Sequence, residues 1–406
     1  MAGSMTRAAL REICEQITDG THDSPKLQPC GVPFIKGKHI FGGRIDFGNC
    51  DFISEQDHAQ AIRRAKPQMG DILLCNIGSI GDAAFVNTNV EFSIKNVALL
   101  RADRNKISSR YLYYHVTSRQ FQDEITSKRS GVAQPFIALE TIRDHEITFH
   151  SSLTIQRRIE RILSAYDDLI ENNLRRIAIL EEMAQAIYRE WFVEFKYPGY
   201  CLVKTEGPTQ CDMPMGWVEA TVGDIAEEAR QSVDPCKLDP ATPYVGLAHI
   251  PRRSIALCDW GRAHEAQSTK LYFQKGDILF GKIRPYFHKV AVAPVDGVCS
   301  SDTIVIRPTK PEYYSLVLCC VSSDEFVGYS VQTSQGTKMP RANWKVMRAF
   351  PIAIPSVSLL KRFNDVIGNL VDLICNLVLS TRALRLTRDL LLPRLISGEL
   401  DVNDIT

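Results

Sequence analysis

The residues best equipped for chemistry in this chain are twelve cysteines, nine histidines and a scatter of lysines and arginines. Their spacing points away from catalysis. No two cysteines stand at the C-x-x-C spacing of a zinc or redox site, and most lie in apolar runs, as Cys75 and Cys299 do. Reduced, buried thiols of a cytosolic protein are the expectation. The chain has no G-x-x-x-x-G-K-[ST] phosphate loop, no H-E-x-x-H zinc pair and no G-x-S-x-G nucleophile elbow. It also lacks the Asn/Asp-Pro-Pro-aromatic tetrapeptide with which an amino-methyltransferase holds its target base. Gly78-Ser79-Ile80-Gly81 comes closest to a glycine-rich cradle, but it lacks a third glycine and a following helix start, so it reads as a tight turn. We expect no catalytic residue, no metal ligand and no cofactor.

A non-catalytic chain must work by binding. The net charge of +1 shows no bulk basicity. The basic residues instead gather in windows free of Asp and Glu. Residues 24–45 hold Lys26, Lys36, Lys38 and Arg44, and residues 278–295 hold Lys282, Arg284 and Lys289. Residues 326–364 hold Lys338, Arg341, Lys345, Arg348, Lys361 and Arg362. Such windows suit phosphate. No apolar run reaches the ~18 residues of a membrane span. The N-terminus lacks a charged region followed by an apolar stretch, so a cytoplasmic, membrane-free protein is expected.

The elements that carry these residues are written twice. Gly70-Asp71-Ile72-Leu73-Leu74 returns as Gly276-Asp277-Ile278-Leu279-Phe280, an offset of 206 residues. Ser130-Gly131-Val132-Ala133-Gln134-Pro135 aligns with Gln335-Gly336-Thr337-Lys338-Met339-Pro340 at an offset of 205. Repeats in one order at a nearly constant offset mean a tandem duplication. Each copy comprises a Gly- and Pro-punctuated α+β part and a long helix. The divisions expected are 5–150, a globular domain; 151–196, a helix; 197–357, a second globular domain; and 358–406, a second helix and tail. In the first helix a seam is expected at Ile159, Ile162, Tyr166, Leu169, Asn173, Ile177, Leu180, Ala184, Ile187 and Trp191. The eleven residues from Tyr166 to Ile177 would relax a left-handed supercoil there. In the second, Phe363, Leu370, Leu377, Leu384 and Leu391 recur every seven residues, with Val366 and Leu373 between them and Pro393 ending or kinking the helix. Helices of about 35–40 residues, some 55 Å long, need partners. An antiparallel coiled coil within the chain supplies one, so the fold class expected is α+β, with two mixed globular domains, two long paired helices and an internal pseudo-two-fold repeat.

The helix sequences carry a resemblance. Gln156-Arg157-Arg158-Ile159-Glu160-Arg161-Ile162-Leu163-Ser164-Ala165-Tyr166-Asp167-Asp168-Leu169-Ile170-Glu171-Asn172-Asn173, continued by Leu180-Glu181-Glu182-Met183-Ala184 and Tyr188-Arg189-Glu190-Trp191-Phe192-Val193-Glu194-Phe195, resembles the central conserved region of type I restriction–modification specificity subunits. Leu391-Leu392-Pro393-Arg394-Leu395-Ile396-Ser397-Gly398-Glu399-Leu400 resembles the distal conserved region of that family. Looser landmarks are Asp19-Gly20-Thr21-His22, Pro33-Phe34-Ile35, the two Gly-Asp-Ile-Leu strands and Gly131 with Gln134-Pro135. The resemblance implies that each globular domain reads one half of a split, asymmetric double-stranded DNA target. The helices would space the domains and dock two adenine-specific methyltransferase subunits, with restriction (translocase) subunits added outside. A specificity scaffold for a related methyltransferase or phage-defence assembly is the alternative reading. The second half lacks an Asp-Gly-Thr-His element and carries Lys282-Ile283-Arg284-Pro285 near the place of the Gly78–Gly81 turn, as reading a different half-site requires.

Major-groove reading favours Arg or Lys toward guanine, Asn or Gln toward adenine, and Ser or Thr toward either. By type and position the candidates in the first half are Thr21, His22, Lys36, Lys38, Asn76, Ser79 and Gln134. In the second half they are Arg252, Arg253, Lys282, Arg284, Tyr286, Lys338 and Arg341. Trp191, Phe192 and Phe195 are the candidates for a partner-protein interface.

Overall fold

A computed structural model describes residues 4–130, 135–199, 213–265, 268–336 and 338–402. The chain divides into two units, Met1–Asp167 with Leu386–Thr406, and Asp168–Arg385. In the first, a four-stranded antiparallel sheet runs in the order Cys14–Asp19, Ala98–Ala102, Ile72–Leu74, Ala83–Phe85. A second sheet places Val32–Lys36 between Asp51–Ile53 (antiparallel) and Ser93–Lys95 (parallel). The second unit repeats the plan. Its antiparallel sheet orders Ala226–Glu228, Thr303–Pro308, Ile278–Gly281 and Val290–Val292, and Pro243–Val245 pairs in parallel with Gly297–Cys299.

The repeated Gly-Asp-Ile-Leu words have a physical cause. Ile72 and Leu74 face one apolar cluster, with Leu10 and Tyr111, while Leu73 faces another, with Ile35 and Phe92. Ile278 and Phe280 are likewise divided from Leu279. A strand buried on both faces needs an unbroken apolar run. Before it, Gly70 and Gly276 turn at φ 96° and 89°, a conformation open to glycine. The aspartates then do the same work twice. Asp71 accepts from the Gln68 backbone N–H (2.8 Å) and takes Arg101 bidentately at 2.8 and 2.7 Å. Asp277 accepts from Gln274 (2.8 Å) and takes Arg307 at 2.8 and 2.6 Å. The duplication therefore extends to a buried carboxylate and its guanidinium.

The two long helices are Leu153–Tyr188, continued by a π-type turn over Arg189–Val193, and Val357–Ile396. In the second unit Asn173 reaches Ser380 (3.4 Å), Ile177 packs with Ile374 and Val378, and Trp191 meets Phe363 (5.6 Å between rings). Numbers rise on one helix as they fall on the other, so the pairing is antiparallel. In the first unit Ile159 and Leu163 share a core with Leu392 and Leu395, and Arg388 binds Asp167 at 2.7 Å.

The seam itself corrects the expected one. Leu163, Ile170, Ile177, Ala184 and Trp191 are buried at intervals of seven, whereas Leu169 is 52% exposed. An unbroken heptad replaces the eleven-residue relaxation. On the second helix Phe363 and Leu377 are buried as expected, but the rest of the buried set, Leu360, Ile367, Ile374 and Thr381 with Val371, Val378 and Leu392, does not follow the expected stripe. Val366 and Leu373 are exposed. This helix carries two parallel apolar stripes, and the seam draws on both, mainly on the one richer in β-branched residues. Together they make Val357–Ile396 long and apolar enough, by length and composition, to cross a membrane, which the search for unbroken apolar runs missed. Pro393 neither ends nor visibly interrupts the helix, which continues to Ile396.

Candidate nucleic-acid interface

In the first unit the candidate residues gather at one edge of the smaller sheet. Thr21 bridges to Lys95, and Lys95 pairs with Lys36 in the parallel ladder. The chain then turns through Gly37, whose carbonyl accepts from the Ser79 hydroxyl at 3.4 Å. Lys36 and Lys38 both face Asp51, at 2.9 and 3.4 Å. The hydrogen bond from Lys36, more than anything else, holds the Asp51 carboxyl below its ordinary pKa. Lys38 keeps an exposed side chain.

Asp19-Gly20-Thr21-His22 is a structural knot beside this edge. Asp19 is buried and bound by Arg64, and a Cβ on Gly20 would collide with the Ile94 carbonyl. His22 lies 2.9 Å from the Asn96 side-chain oxygen and 3.1 Å from Asp19. Thr21 is buried and exchanges hydrogen bonds with Asp23, and Asn76 is buried and donates to the Ile137 carbonyl at 3.3 Å. Both were expected to face DNA, and both are instead engaged inside the fold. Gln134 lies outside the described residues. Sequence reading missed Lys95, Arg64 and Asn96. Only the sheet pairing brings Lys95 beside Lys36, and no local pattern marks it.

In the second unit Lys282-Ile283-Arg284 lies against Pro340-Arg341-Ala342. Arg284 N–H donates to the Pro340 carbonyl (2.8 Å) and Ala342 N–H to that of Lys282 (2.9 Å). Lys282, Arg284 and Arg341 are thus adjacent, with exposed Lys338 two residues before Pro340. The lysine of Lys282 donates to the Ser301 carbonyl (2.9 Å), and Arg341 lies 3.8 Å from Asp302. Arg252 and Arg253 form a separate group. The Arg252 guanidinium sits 4.0 Å over the Phe287 ring, and Arg253 pairs with Asp324 at 3.0 Å. Tyr286, beside Phe287, is exposed. Burial first, and the nearby Arg252 second, push the Lys289 amine below its ordinary pKa.

Trp191 and Phe192, expected at a partner interface, turn into this unit's own core against Phe363, and Phe192 and Phe195 pack edge-on to Trp217. The π-type turn rotates these rings inward, so little of them is left for a partner. Among the described residues no three His, Cys, Asp or Glu side chains form a metal-holding group. Cys30 and Cys236 are exposed rather than buried.

The two units are thus copies of one frame with unlike charged edges. Comparison with known proteins names the kind. Residues 5–182 match the family model for the type I restriction modification DNA specificity domain. The chain is 26% identical over 413 residues to the type I restriction enzyme MjaIX specificity subunit of Methanocaldococcus jannaschii, covering 92% of this chain and 91% of that one. It is 21% identical to the HindI specificity subunit of Haemophilus influenzae, covering 91% and 94%. A solved S subunit of a type I system from M. genitalium shares the fold, with a TM-score of 0.59 at 16% identity over 97% and 96% of the two chains. Over residues 5–182 the chain is thus similar to the type I DNA specificity domain, and over nearly its whole length to type I specificity subunits.

Proposed function

We propose that this chain reads a bipartite, asymmetric duplex target, one half with each unit. The paired helices space the halves and dock two adenine-specific methyltransferase subunits, and restriction subunits join outside them. Methyl transfer and ATP-driven steps belong to those partners. One observation carries the reading: the frame is kept between copies down to Asp71–Arg101 and Asp277–Arg307. The charged edges are not kept, being Lys36, Lys38, Lys95 and Ser79 in one copy and Lys282, Arg284, Lys338 and Arg341 in the other. A common scaffold with different readers is what two different half-sites require.

The docking role is supported by the second stripe. Leu169, Met183, Val366 and Leu373 are exposed, and each stands one position before a seam residue; Ile179, before half-buried Leu180, is exposed with them. In an antiparallel pair such positions on both helices fall on the same side. The opposite side is occupied: Glu181 accepts from Ser254, Ile255 and Ala256, and the Arg382 guanidinium lies 3.9 Å over Trp260.

The test is a change of ruler. Seven residues inserted after Leu180, with seven facing them near Leu373, keep the seam and its polar pairs in register and add about 10 Å. That corresponds to roughly three base pairs of unread gap. Methylome sequencing of cells carrying the whole system should show unchanged half-sites and a lengthened gap. An unchanged gap in an active complex would refute the spacing role, and a single undivided target would refute the bipartite reading.

A further inference from the structure

The two copies share a left-handed turn but not the residues that suit it. In the first, Cys75 N–H donates to the Asp82 carbonyl (2.7 Å) and closes a turn in which Gly78 and Gly81 have φ of 82° and 96°. In the second, Gly281 N–H donates to the Lys289 carbonyl (2.9 Å) around a turn one residue longer. There the left-handed positions belong to Arg284, at φ 51°, and His288, at φ 49°. Glycine adopts this conformation freely, and a residue with a Cβ is strained in it. A side chain kept at such a cost has work to do.

His288 works inside the fold, with Nε2 2.9 Å from the Ser322 carbonyl and Nδ1 3.3 Å from Asp324. Arg284 does not. Its backbone is pinned to Pro340, yet its Nε is buried with no hydrogen-bond partner. A buried donor left without an acceptor is costly in a folded protein. It sits between Lys282 and Arg341, in a setting that favours an electron-rich, acceptor-bearing ligand.

We propose that Arg284 is a specificity-determining residue of the second unit, preset by its strained backbone to grip a paired acceptor edge of DNA. The inference rests on the DNA-reading function proposed above. Two acceptors of matching spacing exist in a duplex, guanine O6 with N7 and two phosphate oxygens. The left-handed backbone of Arg284, pinned to Pro340, limits where its guanidinium can reach, which favours the base edge.

The test uses the full chain assembled with its methyltransferase subunits and duplexes bearing the mapped target. Wild-type binding without preference for that target would defeat the DNA-reading function itself. Given that preference, Arg284→Gly should weaken target binding about 5- to 150-fold, as loss of one base contact does. Its thermal midpoint should not fall, because glycine relieves the turn. Replacing one guanine of the second half-site by 7-deazaguanine should weaken the wild type and leave Arg284→Gly unaffected. Uniform weakening on all duplexes, with no guanine position singled out, would assign Arg284 to phosphate and overturn the proposal. A lowered midpoint with unchanged preference would make it a structural residue and overturn it equally.

Discussion

Adjacent residues on the paired helices give the sharpest test of the register. Ile170 is 6% exposed and Leu169 52%, while Ile374 is 1% exposed and Leu373 37%. Truncating a buried aliphatic side chain to alanine costs about 2–5 kcal/mol. Ile170→Ala and Ile374→Ala should therefore each cost that much. Leu169→Ala should stay within about 0.5 kcal/mol, the usual range for a surface change. Leu373→Ala should cost no more than about half the Ile374 figure, as its side chain is only half covered. Urea unfolding followed by helical circular dichroism reads the difference. With m of about 1–3 kcal/mol/M, the seam variants should lose roughly 1 M or more in midpoint. The exposed pair should matter elsewhere: Leu169→Asp with Leu373→Asp should keep the midpoint and lose the methyltransferase complex by size-exclusion chromatography. If Leu169→Ala and Leu373→Ala proved the more destabilising of each pair, the seam would run along the leucine stripe and the register described here would be wrong.

Asp71→Asn and Asp277→Asn should each lower stability by about 3 kcal/mol, the lower end for breaking a buried pair, because the arginines are 23% and 35% exposed. Thermal melts differing by more than about 1 kcal/mol between the two would refute their equivalence. His115, fully enclosed beside Tyr111, is pushed down to about 3 by burial first and by His150 second. Its depressed pKa means that, below about pH 6.5, the unfolded chain takes up a proton that the folded one refuses. Stability should thus fall by up to about 1.4 kcal/mol per pH unit toward pH 3. His115→Phe should flatten that slope in melts at pH 7, 6 and 5, and an unchanged slope would refute it. Finally, Lys36→Ala with Lys38→Ala should reduce the salt dependence of DNA binding by up to about two phosphate contacts' worth of slope. An unchanged slope would remove both lysines from the interface.

The duplication was legible because a strand buried on both faces and its capping aspartate leave the same word in each copy. The two helices were legible from length and periodicity. The seam was legible only in part: Ile177, Ala184, Trp191, Phe363 and Leu377 are buried as expected, but the second helix carries two apolar stripes and leucine spacing alone does not show that both contribute. Thr21 and Asn76 have the right chemistry for base reading, but local sequence does not tell an exposed hydroxyl or amide from one spent on Asp23 or Ile137. Lys95 was invisible because its neighbour Lys36 lies 59 residues away, joined only by a parallel ladder. Arg284 stood out by type, but its left-handed backbone and orphaned Nε belong to the third dimension.

The seam also contains polar residues that a purely oily zipper would omit. Asn173 is buried and donates to Ser380, next to fully buried Thr381, and Arg388 is held by Asp167, which also accepts from Tyr114 at 2.6 Å. These groups index the pairing. Sliding by one heptad toward the N-terminus of the second helix would set Asn173 against Leu373 and strip Asp167 of its guanidinium, leaving polar groups enclosed and unanswered. Apolar knobs tolerate many phases, but this handful of polar ones tolerates a single phase. Helices that set a distance, as proposed for this pair, need such a zero mark more than they need adhesive strength.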